Sequence, residues 1–465
     1  MPDRPILDFL IQFFIVEVNW SVLLPNSFPR IHQIIYSPWF LAEYRRWWDI
    51  GELSTVREVE FGVLVLRICS YASEFLPSPT HTIDRIRGLP LVEIRQKCDL
   101  VSAELEAICE RLDSTGSLLR VQHLAVCSLH RQINGTTIDS WEALGRVIRA
   151  AQSAGIIHGD DTGLNPHLDE LDKELRRRAF CNLYAWDSAL SRRLDRIPFL
   201  PDSVSPGHWP QMRLLPPNIT QSDGCDENMP EDFTGRILQA RLADFWRSTS
   251  GSAHGDAEYD ITIAEERYER FCADFLTTLP PAFALDPDRE WDKTLPKLAL
   301  QRQLFHISIF ESICWNFRPL LLSSIVIDLT LPPHKRVLVL YQKRTIALAA
   351  LRELEESKKL HDLLGGRKTR LSSLAFSIFE PAMLIMYLLR QSDFLVENNC
   401  EVVHDNVKGN DTDPLRSNTA SDLTRDTLQS AVHEALNRLR KLADACTLAR
   451  ASSKILSEQV CRRSR

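Results

Sequence analysis

Residues 170–201 read ELDKELRRRAFCNLYAWDSALSRRLDRIPFLP. Leu175, Ala179, Leu183, Trp186 and Leu190 recur every three or four positions, the spacing that sets apolar side chains on one face of a helix. The pattern predicts a helix from Leu171 to Arg193 that stops before Pro198. At 100° per residue, Arg176 flanks the stripe, Arg177 points away from it, and Arg178 falls on the other flank near Glu174. Asp187 lies on the flank of Arg176 three turns on, too far for direct contact, so each needs another partner where it is buried. Arg176 is therefore expected to be the most shielded of the three arginines. A fan of this kind cannot converge on one phosphate, which favours a structural role over anion binding.

The preceding stretch, WEALGRVIRAAQSAGIIH at 141–158, is a second amphipathic helix. Trp141, Leu144, Ile148 and Ala151 form its stripe, Asp139 with Glu142 reads as its N-cap, and Gly155 suits its end. Further out, helical spacing predicts helices near 59–75, 91–114, 117–132, 235–248, 258–279, 291–316, 335–359 and 371–396, with a last helix from 423 to about 456. Seven prolines between 198 and 230 mark an extended crossing segment. Apolar residues thin out between 398 and 422, which predicts a mobile loop. The fold class is all-α. Residues 1–397 are expected to form one helical domain, with the helix at 423–465 packing on it.

The 465 residues carry 55 basic and 62 acidic side chains, a formal charge of −7, whereas nucleic-acid readers normally present a basic excess. No apolar run in the sequence reads as a bilayer span, so no membrane role is expected. The eleven cysteines never form a Cys-x-x-Cys pair, the short spacing from which structural zinc sites are built, so no metal or other cofactor is expected. His158, Asp160, Asp161 and His167 share a polar connection of the ordinary inter-helix kind. HExxH, GxSxG and GxGxxG are absent, and GGRKT lacks the first glycine of a phosphate loop, which leaves no catalytic signature.

In order and spacing, the stretch from Trp141 to Pro201 resembles the core of the fungal-specific transcription factor domain, or middle homology region, of zinc-cluster regulators. That family places a tryptophan near the start of one helix, then ExRRRxF, LYxxDxxLS and a glycine-containing turn. Matching positions here are Trp141, Gly155, His158, Glu174, Arg176, Arg177, Arg178, Phe180, Leu183, Tyr184, Asp187, Leu190 and Ser191. Two positions depart from the pattern: Cys181 replaces an aromatic and Asp195 replaces the turn glycine. A looser likeness extends over residues 6–325.

The resemblance implies an all-α regulatory domain and a non-enzymatic transcription regulator in the nucleus, beginning where the regulatory domain of such proteins begins. It implies protein partners, either in the transcription machinery or a DNA-binding partner, and a possible small-molecule effector that the sequence does not identify. With no zinc cluster of its own, the chain is not expected to bind DNA directly. An inactive helical scaffold and an unrecognised all-helical enzyme are the alternative readings.

Overall fold

The computed structural model describes residues 1–18, 35–76, 83–113, 115–134, 137–157, 168–214, 229–249, 259–322, 331–364, 372–391, 394, 413, 415 and 423–463. Among them the chain forms fourteen α-helices and one two-stranded hairpin, the all-α class that the periodicity predicts. Two compact units divide it: 1–226 with 231–244, and 227–230 with 245–465.

The first unit contains α1 (Arg4–Phe13), α2 (Ser37–Asp49), α3 (Val56–Ser73), β1 (Arg85–Ile86), β2 (Leu89–Pro90), α4 (Leu91–Leu112), α5 (Leu118–Asn134), α6 (Thr137–Ser153), α7 (Glu170–Leu194) and most of α8 (Thr234–Ser248). A capping box starts α3: Thr55 Oγ1 accepts the Glu58 amide, and the Glu58 carboxylate accepts the Thr55 amide at 3.0 Å. From Glu60 onward α3 is buried on nearly every side by α1, α4 and α5. Three charges seven residues apart nevertheless lie along it. Glu60 accepts from Ser117 and Arg120, Arg67 pairs with Glu106 at 3.1 Å, and Glu74 pairs with Arg95 at 2.9 Å and His130 at 3.1 Å. Seven residues are two helical turns, so one face of α3 is a ladder of ion pairs reaching α4 and α5.

The second unit contains α9 (Ile261–Arg270), α10 (Leu298–Leu322), α11 (Pro333–Leu363), α12 (Ser372–Arg390), α13 (Arg425–Leu442) and α14 (Thr447–Arg463). Amides fasten α9 to its neighbours: Asn316 Nδ2 donates to the Ala264 carbonyl at 2.9 Å, and Gln342 Nε2 donates to that of Ile261 at 2.7 Å. Residues Ser373–Arg390 of α12 are long and apolar enough to cross a bilayer by length and composition, which the sequence reading overlooked. Here that helix is mostly buried between α10, α11, α13 and α14.

Several boundaries differ from expectation, two of them with a clear physical cause. The helix placed at 291–316 begins only at Leu298, because Pro296 precedes it and Glu290–Asp292 forms a separate 3-10 turn. The last helix is broken at Ala443–Cys446, and its second half folds back, so that α13 and α14 both pack on α12 and bury Leu439, Leu442, Ala449 and Leu456. A single straight helix would leave one of these halves without a partner for its apolar face. Most of the stretch expected to be a mobile loop, 398–422, lies outside the described residues. The described Asp413 and Leu415 are buried.

Candidate functional site

The signature helix α7 begins at Asp169, whose carboxylate caps the Asp172 amide at 2.6 Å. Its apolar stripe lies inside, with Leu175, Ala179, Leu183, Trp186 and Leu190 all buried. So is the rest of its circumference: from Glu174 to Ser191 only Arg176 and Ala189 fall outside the buried class. The reason is the segment 196–214, which runs along α7 as a strap and covers the face that a two-sided helix would leave in water.

Charged residues of α7 hold that strap. Glu174, with no exposure, accepts the backbone amides of Gln211 at 2.9 Å and Met212 at 3.1 Å. The same carboxylate receives Arg178 Nε at 2.8 Å and an Arg177 guanidinium nitrogen at 3.4 Å. Arg178 also donates to the Met212 carbonyl at 3.0 Å and to Glu231 at 2.9 Å, and its guanidinium lies 4.8 Å from the centre of the Phe233 ring. Glu231 in turn accepts the Leu214 amide at 3.1 Å.

Near its other end, Asp187 accepts the amides of Phe199 at 3.1 Å and Leu200 at 2.9 Å. Between these two anchors, Tyr184 Oη donates to the Asp202 carbonyl at 3.3 Å, and Asp244 of α8 accepts the Val204 amide at 3.2 Å. His208 fixes the middle. Its Nε2 donates to the Ile157 carbonyl at 2.7 Å, which leaves Nδ1 to accept from Ser205 at 2.6 Å. Its ring lies 4.3 Å from that of Phe180. A proline-rich strap has no hydrogen-bond ladder of its own, so its buried amides need acceptors from elsewhere, and α7 supplies carboxylates.

The order of burial among the three arginines is the reverse of expectation. Arg177 and Arg178 are buried, while Arg176 is half-buried and donates to the Ala154 carbonyl at 2.8 Å. The helical wheel weighed only the apolar stripe; the strap buries the opposite face as well. Two of the arginines therefore meet on Glu174 rather than fanning apart. Asp187 is fully buried, as its position beside the stripe predicts.

Trp141 stacks on Phe199 of the strap, with ring centres 4.3 Å apart. Gly145, one turn along α6, permits this approach, since a Cβ there would lie 2.9 Å from the Phe199 ring. Asp139 lies inside the first turn of α6 rather than at its N-cap, because the helix starts at Thr137. Gly155 closes α6 with φ +73°, and the Ile156 amide returns to the Ala151 carbonyl at 2.9 Å. His158, the remaining signature residue, lies outside the described residues, as do Asp160, Asp161 and His167.

Both departures from the family pattern have local accounts. Asp195 occupies the left-handed region, φ 52° and ψ 51°, as the closing residue of α7, so the turn keeps its shape without glycine. Cys181 sits with Ala185 and Ala240 against Phe233, Trp209 and Ile237, so the aromatic bulk at this point comes from the strap and the start of α8.

Residues 16–206 match the profile of the fungal specific transcription factor domain, which ends within the strap. Transcription factor xilB of Penicillium rubens is 41% identical over 461 residues, covering 98% of this chain and 65% of its own length. The probable transcription factor sol4 of Alternaria solani is 39% identical over 401 residues, 84% of this chain and 67% of its own. The chain belongs to the fungal-specific transcription factor family.

Transcription factor FBD3 of Gibberella moniliformis is 30% identical over 129 residues, 27% of this chain and 16% of its own. No solved structure matches. The chain spans about two thirds of the length of xilB and sol4. In this member of the family, the described signature residues Trp141, Gly155, Glu174, Arg176, Arg177, Arg178, Tyr184 and Asp187 close helices or tie α6 and α7 to their surroundings. Sequence reasoning named these residues but missed the strap, which Trp141, Glu174, Arg178, Tyr184 and Asp187 all contact. His208, Asp244, Glu231 and the ion ladder of α3 were also missed, although the seven-residue spacing of Glu60, Arg67 and Glu74 was there to be read.

Proposed function

We propose that this chain is a regulatory module of a transcription factor, acting in the nucleus through protein contacts and brought to promoters by another DNA-reading component. The observation that carries this reading is the similarity to named transcription factors along nearly the whole chain, joined to signature side chains that are spent on internal bonds. A guanidinium that already serves a buried carboxylate and a carbonyl is poorly placed to meet a phosphate or a substrate. The excess of acidic residues supports the same reading, because contact with nucleic-acid backbones is driven by basic charge.

Among the described residues, one cavity lacks the size and free polar groups of a small-molecule effector site. A cavity of about 170 Å3 between α11, α12 and α13 has an apolar floor of Leu351, Leu354, Ile378 and Ala435, with Lys358, Glu434 and Arg438 at its rim. Ligand pockets usually run to about 300–1,000 Å3, and the rim charges are paired with one another, Lys358 with Glu434 at 2.9 Å and Arg438 with Glu434 at 3.1 Å.

Fluorescence anisotropy of the purified chain against a pool of duplex DNA, with zinc measured on the same sample, tests the proposal. We expect only weak, sequence-independent association that vanishes with added salt, and no bound zinc. Stoichiometric zinc with site-specific binding that survives 150 mM salt would overturn it.

A further inference from the structure

Between Leu395 and Leu423 the sequence holds a single large apolar residue of the Leu, Ile, Phe, Met or Trp kind, Leu415. Two residues before it stands Asp413, in a stretch where acidic residues outnumber basic ones. Such a composition offers little reason for burial. Yet Leu415 is 3% exposed and Asp413 is 9% exposed.

Asp413 is seated against a residue of the second unit. Tyr268 of α9, itself 1% exposed, donates its hydroxyl proton to Asp413 Oδ1 at 2.9 Å. The Leu415 amide donates to the same oxygen at 3.0 Å, so the carboxylate both meets the phenol and folds its own chain into a turn. The Tyr268 ring is held in turn by Phe317 of α10, with ring centres 5.4 Å apart. One carboxylate on a fixed phenol and one buried leucine is the kind of contact by which short linear motifs are recognised: a polar group sets orientation and an apolar side chain fills space.

We propose that the face of the second unit around Tyr268 is a peptide-binding site for an acidic-apolar motif, Asp-x-Leu, which this chain fills with its own Asp413 and Leu415. A partner protein that displays the same motif gains the site by competition, and binding in trans releases the internal copy. The site is thus a surface for an acidic peptide that is masked in cis. The inference rests on this geometry and does not depend on the transcriptional reading. For a motif of affinity about 0.1 mM, a tethered copy at an effective concentration on the order of 1 mM weakens binding in trans roughly tenfold.

The test uses the whole chain and a fluorescent peptide of residues 409–417, GNDTDPLRS. With Asp413→Ala and Leu415→Ala together, the peptide is expected to bind saturably and at least tenfold more tightly than it binds the unaltered chain. Adding Tyr268→Phe should weaken that binding at least fivefold, and a peptide with Asn and Ala in place of the motif aspartate and leucine should not bind. A double variant that melts cooperatively yet binds no peptide overturns the proposal. So does equal binding to both chains, or indifference to Tyr268→Phe. Where the double variant fails to fold, hydrogen exchange on the unaltered chain decides. The Leu415 amide should exchange at least a hundredfold faster than that of Ile309 in α10, because the seat opens without unfolding. Exchange in step with α10 overturns the proposal.

Discussion

Glu174 offers the sharpest test of how α7 holds its strap. Replacing it by alanine strips a fully buried carboxylate from two guanidinium groups and from the amides of Gln211 and Met212. Breaking a buried ion pair from one side costs about 3–5 kcal/mol, and an orphaned buried amide costs about 1–3 kcal/mol. These do not simply add, because Arg178 keeps Glu231 at 2.9 Å and the Met212 carbonyl at 3.0 Å. We therefore expect a loss of about 5 kcal/mol for Glu174→Ala. Glu174→Gln, which keeps the shape and one acceptor, should lose about 3 kcal/mol on the same grounds. Against a typical domain stability of about 5–15 kcal/mol, the alanine variant would be marginal. Arg176→Ala should cost only about 1–2 kcal/mol, since that side chain is half-buried. Urea midpoints give the ranking, and hydrogen exchange at Gln211 and Met212 reports the strap directly, with at least tenfold faster exchange expected in Glu174→Gln. A loss below about 1 kcal/mol in that variant, with both amides as protected as before, would refute the reasoning.

Other substitutions test separate parts of the account. Asp195→Gly relieves a side chain held at positive φ and should raise stability by about 0.5–1 kcal/mol, whereas Gly155→Ala should lower it by about 1–2 kcal/mol; thermal melts of the two should move in opposite directions. Gly145→Val drives a side chain into the Phe199 ring and should expose the strap near Trp141, read as a loss of tryptophan shielding from a soluble quencher. His123 of α5 is 1% exposed, and neither ring nitrogen has a hydrogen-bond partner among the described residues. Burial, with Arg67, Arg120 and Arg146 nearby, pushes its pKa down to about 3. Its folded value lies below its unfolded one, so above pH 6.5 both states are neutral and the group has no effect. As pH falls towards 3 the unfolded state alone takes the proton, and stability should drop by up to about 1.4 kcal/mol per pH unit. His123→Met should flatten that acid limb of the stability curve, and an unchanged limb would contradict the assignment.

What the sequence discloses and what it withholds follow from the range of the interactions. The stripes of α6 and α7, the turn at Gly155 and the proline boundaries are local, set within one or two helical turns, and they are found where the spacing puts them. The Gln211 and Met212 amides that Glu174 accepts lie 37 and 38 residues away, and His208 reaches the Ile157 carbonyl across 51, partners that no wheel drawn on α7 alone contains. The same limit explains the last helix: the helical spacing across 423–456 is continuous in sequence, and only the need of both halves to cover α12 divides it at Ala443–Cys446. Asp413 and Leu415 fall within the stretch expected to be a mobile loop, because Tyr268, the partner of Asp413, is 145 residues away in sequence.

The central claim, that this is a regulatory module that acts on transcription once delivered to a promoter, is tested most directly by delivering it. The chain is fused to an unrelated DNA-binding domain in a fungal host, and a reporter is read beside the same fusion carrying Trp186→Asp, which places an unpaired carboxylate in the buried stripe of α7. We expect the unaltered fusion to raise or lower the reporter and the variant to do neither. A well-expressed nuclear fusion that leaves the reporter unchanged, or a Trp186→Asp fusion that keeps the full effect, would contradict the account.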